Sequence, residues 1–199
     1  MTSIAIATED ELSEQVGKRL VSEAGLEVSM VLRKNGNGYL RSSIAKFATM
    51  ALHHPVLVIT DLDTGHSPAH LRMQWLNQKK TPDGLLFHVA VREVEAWLLA
   101  DHVGMKKLLG AKIGKLPEAP ESLRDPKASF LGIASKAPRD IRSDLVSERN
   151  SMAAQGLGYN TRLGQFASTH WKPDEAALRS PSLAALRTDL AELSRKLKS

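Results

Sequence analysis

A chain of 199 residues is long enough for one domain with a proper core, or for one domain with an appended lobe. It has no cysteine, which excludes disulfides, thiolate nucleophiles and cysteine-type zinc sites, and which is compatible with a reducing compartment. The formal net charge of +5 is uneven: residues 1–100 carry 10 Lys/Arg against 11 Asp/Glu, whereas residues 101–199 carry 17 against 11. An acid-bearing half thus precedes a basic half of the kind that attracts nucleic acid, although solvated helices rich in Lys and Arg would give the same count. Apolar runs fall well short of the roughly 18 residues a membrane span requires, and no basic-then-apolar signal opens the chain, so a soluble cytoplasmic protein is expected.

Ser3 to Thr8 has the pattern of a short strand, and Glu9-Asp10-Glu11 follows at once. Leu12, Val16, Leu20 and Val21 then recur at the spacing of one helix face, and Gly25 stands where a helix would close. Acids at the start of that helix have an ordinary role against the macrodipole. Glu27 to Lys34 predicts a second strand with Val28, Met30 and Leu32 on one face, and Asn35-Gly36-Asn37-Gly38 a loop that lacks the Lys-Ser/Thr ending of a P-loop. Tyr39 to Leu52 predicts a helix with Leu40, Ile44, Phe47, Ala48 and Ala51 inward.

The wholly apolar Val56-Leu57-Val58-Ile59 is bounded by Pro55 and Gly65 and delivers Asp61 and Asp63 to its end. Such a run predicts a fully buried strand of a parallel sheet, and two acids spaced by two along it would point the same way. Ser67-Pro68 has the form of an N-cap with proline at the first helical position, opening a helix through Leu71, Trp75 and Leu76. His66, His70 and Asp63 raise the thought of zinc, which a helix start at Pro68 between the histidines argues against. Leu85 to Val91 predicts another buried strand, ending in Arg92-Glu93-Val94-Glu95, with a helix from Ala96 towards Leu109.

Three predicted strands therefore end in carboxylates. Right-handed crossovers return each strand in the same direction, so these ends lie along one edge of a mainly parallel sheet. The expected fold is α/β, with helices on both faces over residues 1–110. Residues 111–199, rich in Lys and Arg and broken by Pro117, Pro120, Pro126 and Pro138, predict a basic, mainly helical extension packed on it. Leu183, Leu186, Leu190, Leu193 and Leu197 form a stripe that packs on the domain itself or, alternatively, on a partner helix.

Carboxylate oxygens at Glu9, Asp61, Asp63 and either Glu93 or Glu95 suit Mg²⁺ or Mn²⁺, and such a site can activate water against a phosphodiester. Glu93 and Glu95 project together on a strand but diverge by about 200° on a helix. Glycosidase chemistry fits poorly with 5% aromatic residues, and no G-x-S-x-G element marks a serine triad.

Thr8 to Glu14, Thr60-Asp61-Leu62-Asp63 and Val91 to Asp101 resemble the Toprim domain of topoisomerases, primases and nucleases related to overcoming-lysogenization-defect proteins. More closely, they resemble a bacterial Toprim-like family of unknown function. The similarity extends through Asp125-Pro126-Lys127, Asp140-Ile141-Arg142, Gly158-Tyr159-Asn160 and Ser180-Pro181-Ser182-Leu183. The resemblance implies a Rossmann-like Toprim fold, Glu9 as general acid/base, and Asp61 and Asp63 as metal ligands with Glu93 or Glu95 in support. It also implies an ATPase partner, since such families often stand beside ATPases in defence-type loci. Lys127, Lys136, Arg139 and Arg142 are the nucleic-acid-binding candidates. The sequence departs from the Toprim pattern at Asp10, where glycine is common, leaving open the register among Glu9, Asp10 and Glu11. It also leaves open a catalytically silent module that binds nucleic acid or an ATPase, and the oligomeric state.

Overall fold

The computed structural model describes residues 2–33, 37–63, 67–77, 81–147 and 154–198. Asn35, Gly36, Gly65, His66 and Arg149 lie outside the described residues. Four strands, β1 (Ser3–Thr8), β2 (Glu27–Arg33), β3 (Val56–Asp61) and β4 (Leu85–Ala90), form one sheet in the order β2-β1-β3-β4. Each neighbouring pair is parallel. The crossovers carry α1 (Glu11–Glu23), α2 (Asn37–Met50) and α3 (Pro68–Leu76).

Period-two alternation divides the sheet between two apolar layers. Ile4, Ile6, Leu57 and Ile59 face a cluster that includes Leu12, Val16 and Leu20 of α1. Ala5, Ala7, Val56, Val58, Leu85 and Phe87 face Leu40, Ile44 and Phe47 of α2, with Leu71 and Trp75 of α3 against them. Burial from both sides explains why the β3 run carries no polar residue before Thr60. The architecture is α/β and Rossmann-like, with helices on both faces as the alternation of strands and helices predicts.

Local chemistry sets the ends of these elements. Gly25, at φ +70°, follows the C-cap of α1 in the left-handed region that glycine enters without a Cβ clash. The Ser67 hydroxyl caps α3 by accepting the His70 N–H at 3.2 Å, with Pro68 at the first position. Asn37 and Gly38, expected in a loop, instead open α2.

Two other expectations are corrected. Val28, Met30 and Leu32 do not share a face, because the register of β2 slips at Ser29: Ile4 pairs with Val28 but Ala5 with Met30. A bulge of one residue reverses the alternation, so Val28 packs in the α1 layer and Leu32 in the α2 layer, while Met30 is 50% exposed at the sheet edge. The helix expected from Ala96 to Leu109 is two helices, α4 (Val94–Leu99) and α5 (His102–Leu109). Asp101 divides them: it is fully buried, and its carboxylate accepts the Gly104 N–H at 2.8 Å and the Lys172 N–H at 2.9 Å. An N-capping carboxylate starts a new helix rather than continuing the old one.

Beyond Gly110 come a 3₁₀ turn (Pro120–Ser122), α6 (Pro126–Ala134), α7 (Arg139–Leu145), α8 (Tyr159–Thr169), α9 (Pro173–Ala177) and the long α10 (Pro181–Lys198). One apolar cluster runs from Ile4 and Leu57 of the sheet through Trp97, Phe130, Tyr159 and Trp171 to Leu193, spanning both sides of residue 110. Leu183, Leu186, Leu190 and Leu193 of α10 are buried within it, whereas Leu197 is exposed. The leucine stripe is thus used inside the chain. Glu121 fastens the start of α10, its Oε1 accepting the Ser182 N–H at 3.0 Å and the Ser182 hydroxyl at 2.7 Å, together with the Ser180 hydroxyl. The Trp97 indole N–H donates to Ser182 Oγ at 2.8 Å, joining α4 to the same corner. Among the described residues no helix is long and apolar enough to cross a membrane.

Candidate active site

Strand order places the site. β1 is flanked by β2 on one side and β3 on the other, so the chain leaves β1 in one direction and later returns in the opposite direction. In open parallel sheets the crevice beyond the C-terminal ends of two such strands is where ligands bind. Glu9 follows β1 and Asp61 ends β3.

The three acids of the first motif are separated in space by their backbone roles. Asp10 is the N-cap of α1, extended at φ −138°, and its carboxylate accepts the Ser13 N–H at 2.8 Å. Glu11 is exposed in the first helical turn, where an acid favours the macrodipole. Glu9 reaches across to β3: its Oε1 accepts the Asp61 N–H at 3.3 Å and the hydroxyl of the buried Thr60. Glu9 is therefore the member of the motif that is hydrogen-bonded to the end of β3.

Asp61 Oδ1 accepts the Val94 N–H at 3.1 Å, supplying the cap at the start of α4 that Glu93, the backbone N-cap residue, does not make. Asp63 is not a continuation of the strand. β3 ends at Asp61, the Leu62 N–H donates to Ala90 O at 3.0 Å, and Asp63 turns into the left-handed region at φ 50°. The expectation that Asp61 and Asp63 project together along a strand fails for this reason. Asp63 is exposed, yet its charge still acts on Glu9, Asp61 and Glu93.

Glu93 and Glu95 diverge, as helical geometry requires. Glu93 Oε2 accepts the Lys127 N–H at 2.9 Å at the start of α6. Glu95 is buried, 5% exposed, and its Oε1 accepts the Tyr159 hydroxyl of α8 at 2.8 Å. The Tyr159 ring meets Phe130 edge-on, and Lys127 Nζ lies 5.0 Å from the Tyr159 ring centroid. Lys127 thus stands at the acids themselves, while Lys136, Arg139 and Arg142 are exposed beyond α6 and on α7.

Charge repulsion and burial act in the same direction here. Burial first, then the charges of Glu95, Glu9, Asp10 and Asp63, hold the Asp61 carboxyl well above the usual carboxylate range. Burial also raises Glu9, against the opposing hydrogen bonds from Thr60 and the Asp61 N–H. Glu93 is raised by burial, with the Lys127 N–H opposing. Glu95 is pushed up to about 7, chiefly by burial, with the Tyr159 hydrogen bond opposing and Glu93 adding to the rise. A cation bound by Glu9 and Asp61 would favour the ionised forms of those two carboxyls.

Among the described residues no three His, Asp or Glu side chains are gathered closely enough to hold a metal ion as they stand. The donor set nevertheless fits Mg²⁺ or Mn²⁺ in chemistry. It is all oxygen, and Mg²⁺ characteristically keeps several waters and binds through one or two carboxylates together with substrate phosphate. Glu9 with Asp61 supplies such a pair, with Asp63 beside them.

Several contacts at the site had little signal in the sequence. Thr60 adjoins Asp61 along the chain, but only strand pairing shows that its hydroxyl meets Glu9. Tyr159 lies 64 positions from Glu95, and no local pattern links them. The contact of Arg92 with Asp63 likewise depends on the neighbouring positions of β3 and β4.

The fold and site define a Rossmann-like α/β protein with an acidic switch point. No family model, curated protein or solved structure matches the chain.

Proposed function

We propose that this chain is a Toprim-like protein performing metal-dependent phosphodiester chemistry on nucleic acid, with an ATPase as a partner. The observation that carries this reading is the junction of β1 and β3, where one Glu9 oxygen accepts both the Thr60 hydroxyl and the Asp61 N–H. Glu9 and Asp61 would hold Mg²⁺ or Mn²⁺, water and substrate phosphate filling its other positions, with Asp63 and Glu93 as supporting acids. The metal, when bound, supplies Lewis-acid stabilisation of charge developing on a phosphoryl oxygen and lowers the pKa of a coordinated water.

In this reading Glu9, kept in place by Thr60, serves both as a ligand and as the general acid/base. Lys127, next to Glu93 and over Tyr159, offers a cation to the scissile phosphate. Lys136, Arg139 and Arg142 give the exposed basic surface along which a nucleic-acid backbone would run.

The test is cleavage of labelled single- and double-stranded DNA and RNA in Mn²⁺, by the purified chain alone and with any ATPase encoded beside it. Cleavage that disappears in Asp61→Asn and Glu9→Gln supports the reading. No cleavage under any of these conditions contradicts it.

A second reading, a catalytically silent module that binds nucleic acid or an ATPase, is favoured by one observation: Asp61 and Glu95 are already used internally, by Val94 and Tyr159. It predicts that Asp61→Asn and Glu9→Gln retain biological activity while charge reversal at Arg139 or Arg142 abolishes binding.

A further inference from the structure

α5, α7 and α8 meet around a cleft of about 550 Å³ that the chemistry proposed above leaves unused. A volume of this order suits a small organic ligand. Its floor is apolar: Leu108 and Ile141 are partly buried against the main cluster, to which Phe166 belongs. Its walls are charged, with Lys107 from the last turn of α5, Asp140 from the first turn of α7 and Arg162 from α8. Arg139 and Arg142, already assigned to the exposed basic surface, lie outside it. α8 links the cleft to the acids. Tyr159, whose hydroxyl donates to Glu95, is followed on the same helix face by Arg162 and Phe166, at spacings of three and four. At a rise of about 1.5 Å per residue they stand roughly 5 and 10 Å further along the axis, a separation that a nucleic-acid strand covers in a few nucleotides.

The polar groups of the cleft are available to a ligand. Arg162 is braced by Asp144, whose Oδ2 accepts its Nε at 3.0 Å and its Nη2 at 2.5 Å, while Nη1 has no partner among the described residues. Among the same residues neither the Lys107 ammonium nor the Asp140 carboxylate has a hydrogen-bond or ion-pair partner. A planar guanidinium fixed by a carboxylate is a rigid fork for an anion, and a neighbouring ammonium adds a second positive charge. These two cations fit a phosphate. A carboxylate in the same cleft repels phosphate, so Asp140 fits a different part of the ligand, one that donates a hydrogen bond. An amino-bearing nucleotide base has this combination: a flat face for the apolar floor, an exocyclic amine for the carboxylate and a phosphate for the cations. Only an unpaired strand can turn such a base into a cleft without first breaking a duplex.

We propose that this cleft is a nucleotide subsite: it takes one unstacked nucleotide of a single-stranded nucleic acid, the phosphate on Lys107 and Arg162 and an amino-bearing base, such as cytosine, on the apolar floor with its exocyclic amine donating to Asp140. This rests on the nucleic-acid reading above but not on the metal site.

The experiment is fluorescence anisotropy of the full chain with labelled oligo-dC and oligo-dU, in chelator and over a range of salt, comparing wild type with Asp140→Ala and Lys107→Gln. Both side chains are exposed, so the variants should melt with wild type. Wild type should bind oligo-dC at least 5-fold more tightly than oligo-dU, which offers a carbonyl where cytosine offers its amine. Asp140→Ala should bring that ratio to about one. Lys107→Gln should weaken both oligonucleotides by the same factor and reduce the slope of log affinity against log salt by about 0.7, the loss of one phosphate contact on a single strand. Equal affinity of wild type for the two oligonucleotides overturns the inference. So does a preference that survives Asp140→Ala, or Lys107→Gln with the affinity and salt slope of wild type. Wild type that binds neither oligonucleotide overturns the nucleic-acid reading, and this inference with it. Should Asp140→Ala melt early, Asp140→Asn at wild-type stability decides the matter by whether the preference for oligo-dC is lost.

Discussion

Replacing Glu95 by glutamine should stabilise the protein at pH 8 and leave it unchanged near pH 4.5. Glu95 is buried and its pKa is pushed from the ordinary 4.5 up to about 7, so the folded chain keeps a proton that the unfolded chain releases. For an acid raised in this way, folding stability is fully present below 4.5 and falls as pH rises through about 7. Each pKa unit corresponds to about 1.4 kcal/mol, so the wild-type chain loses about 3 kcal/mol at this one group. Glutamine has no such proton and still offers a carbonyl to the Tyr159 hydroxyl. Removing the charge also relieves Asp61, for which Glu95 is the largest repelling neighbour. In a chain of 199 residues, 1 kcal/mol corresponds to roughly 2–4 °C in melting temperature. The gap between variant and wild type should therefore widen to about 6–12 °C at pH 8. The assay is urea and thermal unfolding by far-UV circular dichroism from pH 4.5 to 8, in chelator so that bound cations do not offset the repulsion. A stability difference that stays flat across that range would refute the reasoning, as would a Glu95→Gln variant less stable than wild type at pH 8.

Other outcomes follow from the same contacts. Thr60→Val removes the hydroxyl that keeps the Glu9 carboxyl from rising further, so the acid limb of a pH–activity profile should move to higher pH. Tyr159→Phe leaves a buried Glu95 oxygen without its donor and should cost about 1–3 kcal/mol in denaturant unfolding. Leu190→Ala opens a cavity where α10 packs against the cluster and should cost about 2–5 kcal/mol by the same measurement. Arg139→Glu combined with Arg142→Glu should weaken oligonucleotide binding and flatten its dependence on salt, measured by fluorescence anisotropy in chelator.

The parts of the fold that the sequence revealed were those written in local patterns. The apolar run at Val56 to Ile59 is a central strand because both its faces are covered. The Ser67-Pro68 cap and the leucine stripe of α10 likewise depend on neighbours a few positions away. What the sequence did not show depended on partners far along the chain or on one-residue irregularities. The bulge at Ser29 reverses a strand face without changing the composition of β2. Asp101, which looked like an interior residue of one long helix, divides it as the N-cap of α5, and its second oxygen is held by the Lys172 N–H from 71 positions away.

The candidate site divides in the same way. That Glu9 and Asp61 meet followed from parallel strands ending on one edge, and the strand order places them at the switch point. The different placements of Asp61 and Asp63 did not follow, nor did the partners of Glu93 and Glu95, whose divergence on a helix was expected. They depend on where β3 stops, on the left-handed turn at Asp63, and on Lys127 and Tyr159 arriving from beyond residue 110.

The central claim is that the acids beyond β1 and β3 form a divalent-cation site. The most direct measurement is an anomalous-scattering map from crystals soaked in MnCl₂. A peak is expected within about 2.0–2.6 Å of carboxylate oxygens of Glu9 and Asp61, the range for a hard cation on oxygen ligands. Full Mn²⁺ exposure with no peak at that junction, or with a peak only at other acids of the chain, would contradict it.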